Sequence, residues 1–221
     1  MVDKQSAAGI VSDALRTAII NNELPAGERL RQDAIATRFG VSQMIVREAF
    51  KQLVVEGLLR NEPRRGVSVS RLNADEAWEI SQLRALIEAQ ALQWAIPNMT
   101  QRDFDAYQKI LADLDVAPTV DDKIVLNARF HEALYTPSEK PRTLEMIENL
   151  RKNFERYLRF TWEETHHLKQ SQAEHWAILE RCKKQDCEGA CSLLRQHILS
   201  TGELLVASLN NIEAQSIQIR T

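Results

Sequence analysis

Long apolar runs are missing from this chain of 221 residues. Charges interrupt every hydrophobic stretch well short of the roughly 18 residues that a membrane-spanning helix needs, so no membrane partner is expected. Glycine and proline are scarce, at seven and six, which points to a helix-rich chain. Only three cysteines occur, Cys182, Cys187 and Cys191. An odd number clustered in so short a span suits reduced thiols rather than a disulfide framework, and the spacing does not match a zinc knuckle, so they read as small core residues. The stretch from Met1 to Ile20 carries Asp3 and Asp13 and lacks a basic segment followed by an uninterrupted apolar one, so no secretory signal is read there. A cytoplasmic protein is the expectation. A Gly-rich phosphate loop, a nucleophile elbow, a His-Glu-x-x-His pair and internal repeats are all absent. What is present is an ordinary globular composition, 44% apolar, 27% charged and 6% aromatic, with room for one large domain or two small ones.

The net charge of −3 hides an asymmetry. Residues 1–71 hold 11 Lys plus Arg against 8 Asp plus Glu, whereas residues 72–221 hold 17 against 23. A basic head on an acidic body suggests that the head meets a polyanion. Five of the seven glycines fall in the first 66 residues and all four tryptophans after residue 77. The expected organisation is two domains, 1–71 and 72–221.

In the head, Val11, Leu15, Ala18 and Ile19 recur at helical spacing until Leu24-Pro25-Ala26-Gly27 ends the pattern, predicting a helix of about Ser6 to Asn21. A shorter helix follows from about Gln32 to Phe39. Gly40 supplies the permissive backbone of a four-residue turn, and Ser42 is placed to cap a third helix through Val46, Ala49, Phe50 and Leu53 that ends near Gly57. Leu58-Leu59-Arg60 and Val67-Ser68-Val69-Ser70, around Asn61 to Gly66, read as a small β-hairpin. Together these elements make a winged helix-turn-helix. The major groove of DNA admits a helix whose first turn presents side chains to base edges. Ser42, Gln43, Met44 and Arg47 occupy that turn. Arg64, Arg65 and Gly66 at the hairpin tip reach phosphates or the minor groove, and Arg38 and Lys51 flank the recognition helix as backbone contacts. The competing reading of these arginines is a solvated face.

The stretch from Asn22 to Leu30, then Ile35-Ala36-Thr37-Arg38-Phe39-Gly40-Val41-Ser42, Val46-Arg47-Glu48-Ala49-Phe50, Glu56-Gly57-Leu58 and Arg65-Gly66, resembles the GntR family of bacterial transcription regulators. Nearly the whole head is covered. The resemblance implies sequence-specific binding to a double-stranded DNA operator. Two positions depart from the family pattern: Gln43 stands where the family usually has Arg, and Ile45 where it has Pro. The family's Arg reads guanine, whereas Gln prefers an adenine edge.

From Asp75 onward helix follows helix. Trp78, Leu83, Leu86, Ile87 and Leu92 fit one ended by Pro97, and Thr100 with Asp103 caps the next through Leu114. Others are expected at about Val120 to Tyr135, Thr143 to Glu164, Ser171 to Lys184 and Asp186 to Asn210. This predicts an all-α antiparallel bundle of about six helices. Trp78, Trp94, Trp162 and Trp176 are expected in the core or lining a pocket. His166 and His167 lie in a polar connection and read as surface residues. Three other histidines sit on apolar helical faces: His131 with Asn127, Leu134 and Tyr135; His175 with Ile178, Leu179 and Cys182; His197 with Leu194, Thr201 and Leu204. Three imidazoles from three helices converging in a core suit zinc or nickel, with Asn127 adding a carbonyl oxygen. Hydrogen-bonded core histidines are the alternative.

Asn127-Ala128-Arg129-Phe130-His131, Glu174-His175 and Arg195-Gln196-His197-Ile198, preceded by Arg84 and Glu88, resemble the FCD effector-binding domain that often accompanies GntR heads. Metal-binding members use an Asp or Asn and three His in this order. The resemblance therefore implies that Asn127, His131, His175 and His197 hold a divalent metal ion. A small carboxylate effector would fill the open positions, with Arg84 clamping its other end. Arg84 alternatively spends its charge on Glu88 four residues on. Similar proteins bind DNA as homodimers. The whole reads as a mainly α protein: an N-terminal winged helix-turn-helix with a β-hairpin wing, followed by the bundle, acting as an effector-controlled regulator, a repressor in preference to an activator. Two rivals remain. One is a metal-independent regulator with a longer acyl ligand. The other is a three-histidine metallohydrolase, which would need a general base beside an open metal position, and no acidic residue adjoins His131 on its inward face.

Overall fold

The computed structural model describes residues 6–21, 23–63, 66–71, 74–165 and 168–218, with side chains omitted at 152–153, 155–161, 163–165 and 212–218. The chain divides into two compact units, Met1–Leu72 and Asn73–Thr221.

In the first unit, α1 (Ala7–Ile20) starts where the Ser6 side chain accepts from the Gly9 amide. It buries Val11, Leu15, Ala18 and Ile19, the stripe that helical spacing selects. Gly40, in the left-handed region at φ 64°, ends α2 (Gln32–Phe39), and Ser42 caps α3 (Gln43–Val55). The connection is three residues, Gly40 to Ser42, not four, because the end cap of one helix and the start cap of the next are separated by Val41 alone. Val46, Ala49, Phe50 and Leu53 of α3 meet α1 and the sheet in one apolar core.

The wing holds a strand that the sequence reading lacks. Beside β2 (Leu59–Glu62) and β3 (Gly66–Val69), a two-residue β1 (Arg29–Leu30) pairs antiparallel with β3, giving the order β1-β3-β2. Leu30, Leu59, Val67 and Val69 face the core. Arg29, Ser68 and Arg60 form one row on the opposite face, as register dictates.

The second unit is helical among its described residues. It comprises α4 (Ala74–Ala95), α5 (Gln101–Val116), α6 (Val120–Tyr135), α7 (Pro141–Thr165), α8 (Leu168–Lys183) and α9 (Cys187–Gln218). Pro97 sits in a short 3-10 turn after α4, and Thr100 with Asp103 forms a complete capping box on α5. The last helix continues past Asn210, where no proline or glycine stops it. Alanines 77, 85, 89, 91 and 95 are all buried on α4, so α9 lies close against it. At their crossing, a Cβ on Gly202 would fall 2.5 Å from the Ser81 hydroxyl.

Leu83, Leu86 and Leu204, read as apolar-face residues, are exposed on the outer sides of α4 and α9, and two further residues differ from expectation. Trp94 is 40% exposed with the Lys140 ammonium 5.7 Å from its ring centre, because it lies on the solvent side of α4 near its end. Cys187 is only half-buried. Cys182 and Cys191 are buried as small core residues, and burial pushes the Cys182 thiol up to about 12. His166 and His167 lie outside the described residues. None of the described helices is long and apolar enough to cross a membrane.

Candidate metal centre and nucleic-acid interface

The three singled-out histidines come together. His131 on α6, His175 on α8 and His197 on α9 are all buried, and their nearest ligating nitrogens lie within 4.8 Å of one another. The apolar stripes that bury Phe130, Leu134, Ile178, Leu179, Leu194 and Ile198 carry the imidazoles inward with them.

Each ring is held from outside by its Nδ1. His197 Nδ1 donates to a Glu174 carboxylate oxygen at 2.7 Å, and His175 Nδ1 donates to the Gln172 carbonyl at 3.1 Å. The Gln172 amide is oriented in turn by donating to the Leu111 carbonyl at 2.9 Å. His131 Nδ1 lies 3.0 Å from the Tyr135 hydroxyl, which gives its own proton to Glu88 at 2.6 Å. That hydroxyl must therefore accept from His131. With the Nδ1 atoms turned outward, the Nε2 atoms face inward, those of His175 and His197 at 3.2 Å from each other. Burial pulls both His131 and His175 well below the ordinary imidazole range, and the surrounding cations act in the same direction, so both rings are neutral. The donor set is that of a metal ligand cluster with acceptors fixing the outer nitrogens. Close by on α6, the buried Asn127 Oδ1 has no hydrogen-bond partner among the described residues. Leaving a buried acceptor unsatisfied costs about 1–3 kcal/mol, so three clustered imidazoles and an orphaned carbonyl fit a cation.

A cavity of about 490 Å³ opens onto His131, His197 and Asn127 and is walled by Arg84, Arg151, Phe154 and Trp162. Arg84 donates to Glu88 at 2.6 Å within the buried interior, so the i, i+4 pair forms, while its guanidinium carbon lies 4.6 Å over the Phe154 ring. Burial raises the Glu88 carboxyl, but Arg84 and Arg151 outweigh it and hold it below its ordinary value. Glu88 also lies 3.7 Å from His131 Nδ1, so an acidic residue does adjoin this histidine, on its outer side and already bonded to Arg84 and Tyr135.

Sequence reasoning missed Arg151. From α7 it reaches the main-chain carbonyls of Ala128 and Asn127 at 2.9 and 3.4 Å. Burial draws its guanidinium below the usual range, against the pull of Glu88. Trp162, whose indole N–H is buried without a partner among the described residues, lines the same cavity. No spacing rule marks either residue, because the cavity is made by tertiary packing.

In the first unit, Gln43, Met44 and Arg47 are all exposed on the first turns of α3, Met44 by 79%. Ser42 is used as the cap, accepting from the Ile45 amide at 3.4 Å. Arg38 stacks at 5.9 Å over Phe39, and Lys51 pairs with Glu48 at 3.2 Å. Gly66 opens β3 with φ 86°, a conformation that strains any other residue. Arg64 and Arg65 lie outside the described residues.

A helix-turn-helix with its recognition turn bare, joined to a winged sheet, belongs to DNA-binding regulators. Residues 8–69 match the family described as bacterial regulatory proteins, gntR family, and residues 79–200 match the FCD domain. The chain is 31% identical over 192 residues to the HTH-type transcriptional regulator YdhC of Bacillus subtilis (strain 168), covering 84% of this chain and 83% of YdhC. It is 24% identical to the HTH-type transcriptional repressor RspR of Escherichia coli (strain K12), over 86% of this chain and 84% of that one. Among solved structures, E. coli McbR/YncC superposes with a TM-score of 0.76 at 26% identity, covering 92% of this chain and 99% of the other. This protein belongs to the GntR family of DNA-binding transcription regulators and carries an FCD domain. Such proteins are regulators and not enzymes, which removes the metallohydrolase reading.

Proposed function

We propose that this protein is a cytoplasmic, homodimeric repressor that releases its operator when a small carboxylate binds its helical unit. His131, His175, His197 and Asn127 would hold a divalent ion, zinc or nickel, in that unit. The observation that carries the metal reading is the arrangement of three imidazoles whose Nδ1 atoms are each held by an acceptor, so that their Nε2 atoms converge beside the unsatisfied Asn127 carbonyl. When bound, the ion would supply open positions to a carboxylate oxygen. The protein's own part is to bind and orient the rest of that anion. Arg151 offers a cation whose hydrogen bonds among the described residues go to main-chain carbonyls, Arg84 offers the face of its guanidinium not spent on Glu88, and Trp162 offers an N–H. With Asn127 in place of the Asp found in many relatives, the site has one negative charge fewer, so the effector carboxylate completes the charge balance.

In the head, Gln43, Met44 and Arg47 would face base edges, and Ser42, Arg38, Lys51, Arg64, Arg65 and Gly66 the sugar-phosphate backbone. Repression is supported by the repressor name of RspR. A dimer is supported by the two half-sites that a helix-turn-helix reads in a palindrome. The test has two parts. Untagged protein is assayed for bound metal, with about one equivalent per chain expected. It is then titrated against its own upstream DNA and a scrambled duplex near physiological salt, where non-specific binding falls at about 10⁻⁴–10⁻⁶ M. Preference of several orders of magnitude, relieved by short mono- or dicarboxylates, is expected. Metal-free protein that still responds to carboxylates would overturn the metal reading and favour direct histidine contacts to a longer acyl ligand.

A further inference from the structure

The charges of the first unit pair off unequally. Arg16 binds Glu56 and Asp13, Arg31 binds Asp33, Lys51 binds Glu48 and Arg60 binds Glu62. Among the described residues, Arg29, Arg38 and Arg47 have no carboxylate partner. Arg38 and Arg47 flank and occupy the recognition helix, where uncompensated charge is expected. Arg29 is elsewhere, on β1 of the wing sheet.

Register explains why its charge is left over. Arg29, Ser68 and Arg60 stand in one row on the face of the sheet away from the core, Ser68 covered between two exposed arginines. Glu62, the carboxylate carried by the paired strands, accepts from Arg60 at 2.6 Å and from Ser68 at 3.3 Å. Gly66 lies against Arg29: a Cβ there would be in van der Waals contact, at 3.9 Å, with both Nε and Nη2 of the guanidinium. The arginine therefore lies alongside the start of β3. A cleft of about 370 Å³ joins it to Gln43 at the head of α3, and the Arg31–Asp33 ion pair also lines it, its charges spent on each other.

We propose that Arg29 is a DNA contact of this protein and holds a backbone phosphate between the recognition helix and the wing. The inference rests on the reading of α3 as the DNA-reading helix. A phosphate is the ligand because a guanidinium with no protein anion matches its oxygens. The contact positions the head without reading sequence.

The experiment is a salt titration of the full-length protein on its own upstream duplex and on a scrambled duplex, followed by fluorescence anisotropy from about 50 to 200 mM salt. Each phosphate neutralised contributes about 0.9 to the slope of log K against log salt. Arg29→Ala is expected to weaken both duplexes by the same factor and flatten that slope by about 0.9. Arg29→Lys should keep the slope, and Arg60→Ala, in the same row but ion-paired, should leave it near wild type. Arg29→Gln is run alongside with the same expectation as alanine, so that a folding defect in one variant does not decide the result. An unchanged slope, a loss confined to the upstream duplex, or an equal loss in Arg60→Ala would overturn the proposal. Wild-type protein that fails to prefer the upstream duplex would instead count against the operator reading, while the scrambled duplex still tests Arg29.

Discussion

His175 and His197 present their Nε2 atoms to each other at 3.2 Å while both Nδ1 atoms donate outward, to Gln172 and Glu174. Two lone pairs at that separation repel unless a cation or a shared proton lies between them. His131→Ala is therefore expected to lower bound metal well below one equivalent, measured on dialysed protein by elemental analysis. A full equivalent retained in the variant would sink the assignment. Glu174→Gln touches no inward nitrogen but loosens the His197 ring. Removing such a partner typically costs about 10- to 100-fold in metal affinity, and competition with a chromogenic chelator reads that loss.

On the proposed reading, Arg151 would separate ligand binding from metal binding. Its charge enters the cavity from α7 while its hydrogen bonds go to carbonyls of α6. Arg151→Met is expected to weaken carboxylate binding by about 1.5–3 kcal/mol, the scale of a hydrogen bond to a charged group, with metal content unchanged. Calorimetric titration of short mono- and dicarboxylates checks this, and equal affinities in the two proteins would show that the clamp is elsewhere.

Recognition at the operator divides between two neighbours on α3. Gln43→Ala should relax sequence preference and leave non-specific affinity in place, because the amide would read a base edge. Arg47→Ala should nearly abolish binding. Competition between upstream and scrambled duplexes measures both, and undiminished affinity of Arg47→Ala for the native operator would refute its role.

The α5 start tests the fold itself. The Thr100 hydroxyl accepts from the Asp103 amide at 3.4 Å, and Asp103 accepts from the Thr100 amide at 2.8 Å. Thr100→Ala should cost about 1 kcal/mol in chemical denaturation. Hydrogen bonds from the Thr100 side chain and backbone hold the Asp103 carboxyl below its ordinary value. A depressed acid stabilises above its unfolded pKa, and that stabilisation is lost as pH falls through the folded one. The gap between wild type and Thr100→Ala should shrink below roughly pH 4; a gap independent of pH would argue against the box.

Ser42, Gly40 and Thr100 were legible in the sequence because caps and turns are local: a side chain within three residues, or a backbone angle, decides them. The histidines were legible because an apolar stripe at helical period fixes the side they face. Arg29 and Leu30 as a strand were not, since two residues carry no period and only pairing with β3 defines them. The Tyr135 to Glu88 bond joins residues 47 apart, and Arg151 reaches carbonyls on another helix. Such contacts depend on how helices cross, which no pattern along one helix encodes. Trp94 was misplaced for a related reason: residue type suggested burial, but its angular position on α4 set its exposure.

The cavity wall also has an evolutionary grain. The imidazoles are distributed over α6, α8 and α9, and each is tethered by its own outer acceptor, whereas Leu144, Ile147, Glu148, Arg151, Phe154 and Trp162 all come from α7. On the proposed reading, substitutions along this one face of α7 would change which anion fits the cavity while the imidazoles, carried by other helices, stay where they are. A change of effector would then be concentrated on α7, with Arg84 of α4 as a fixed point.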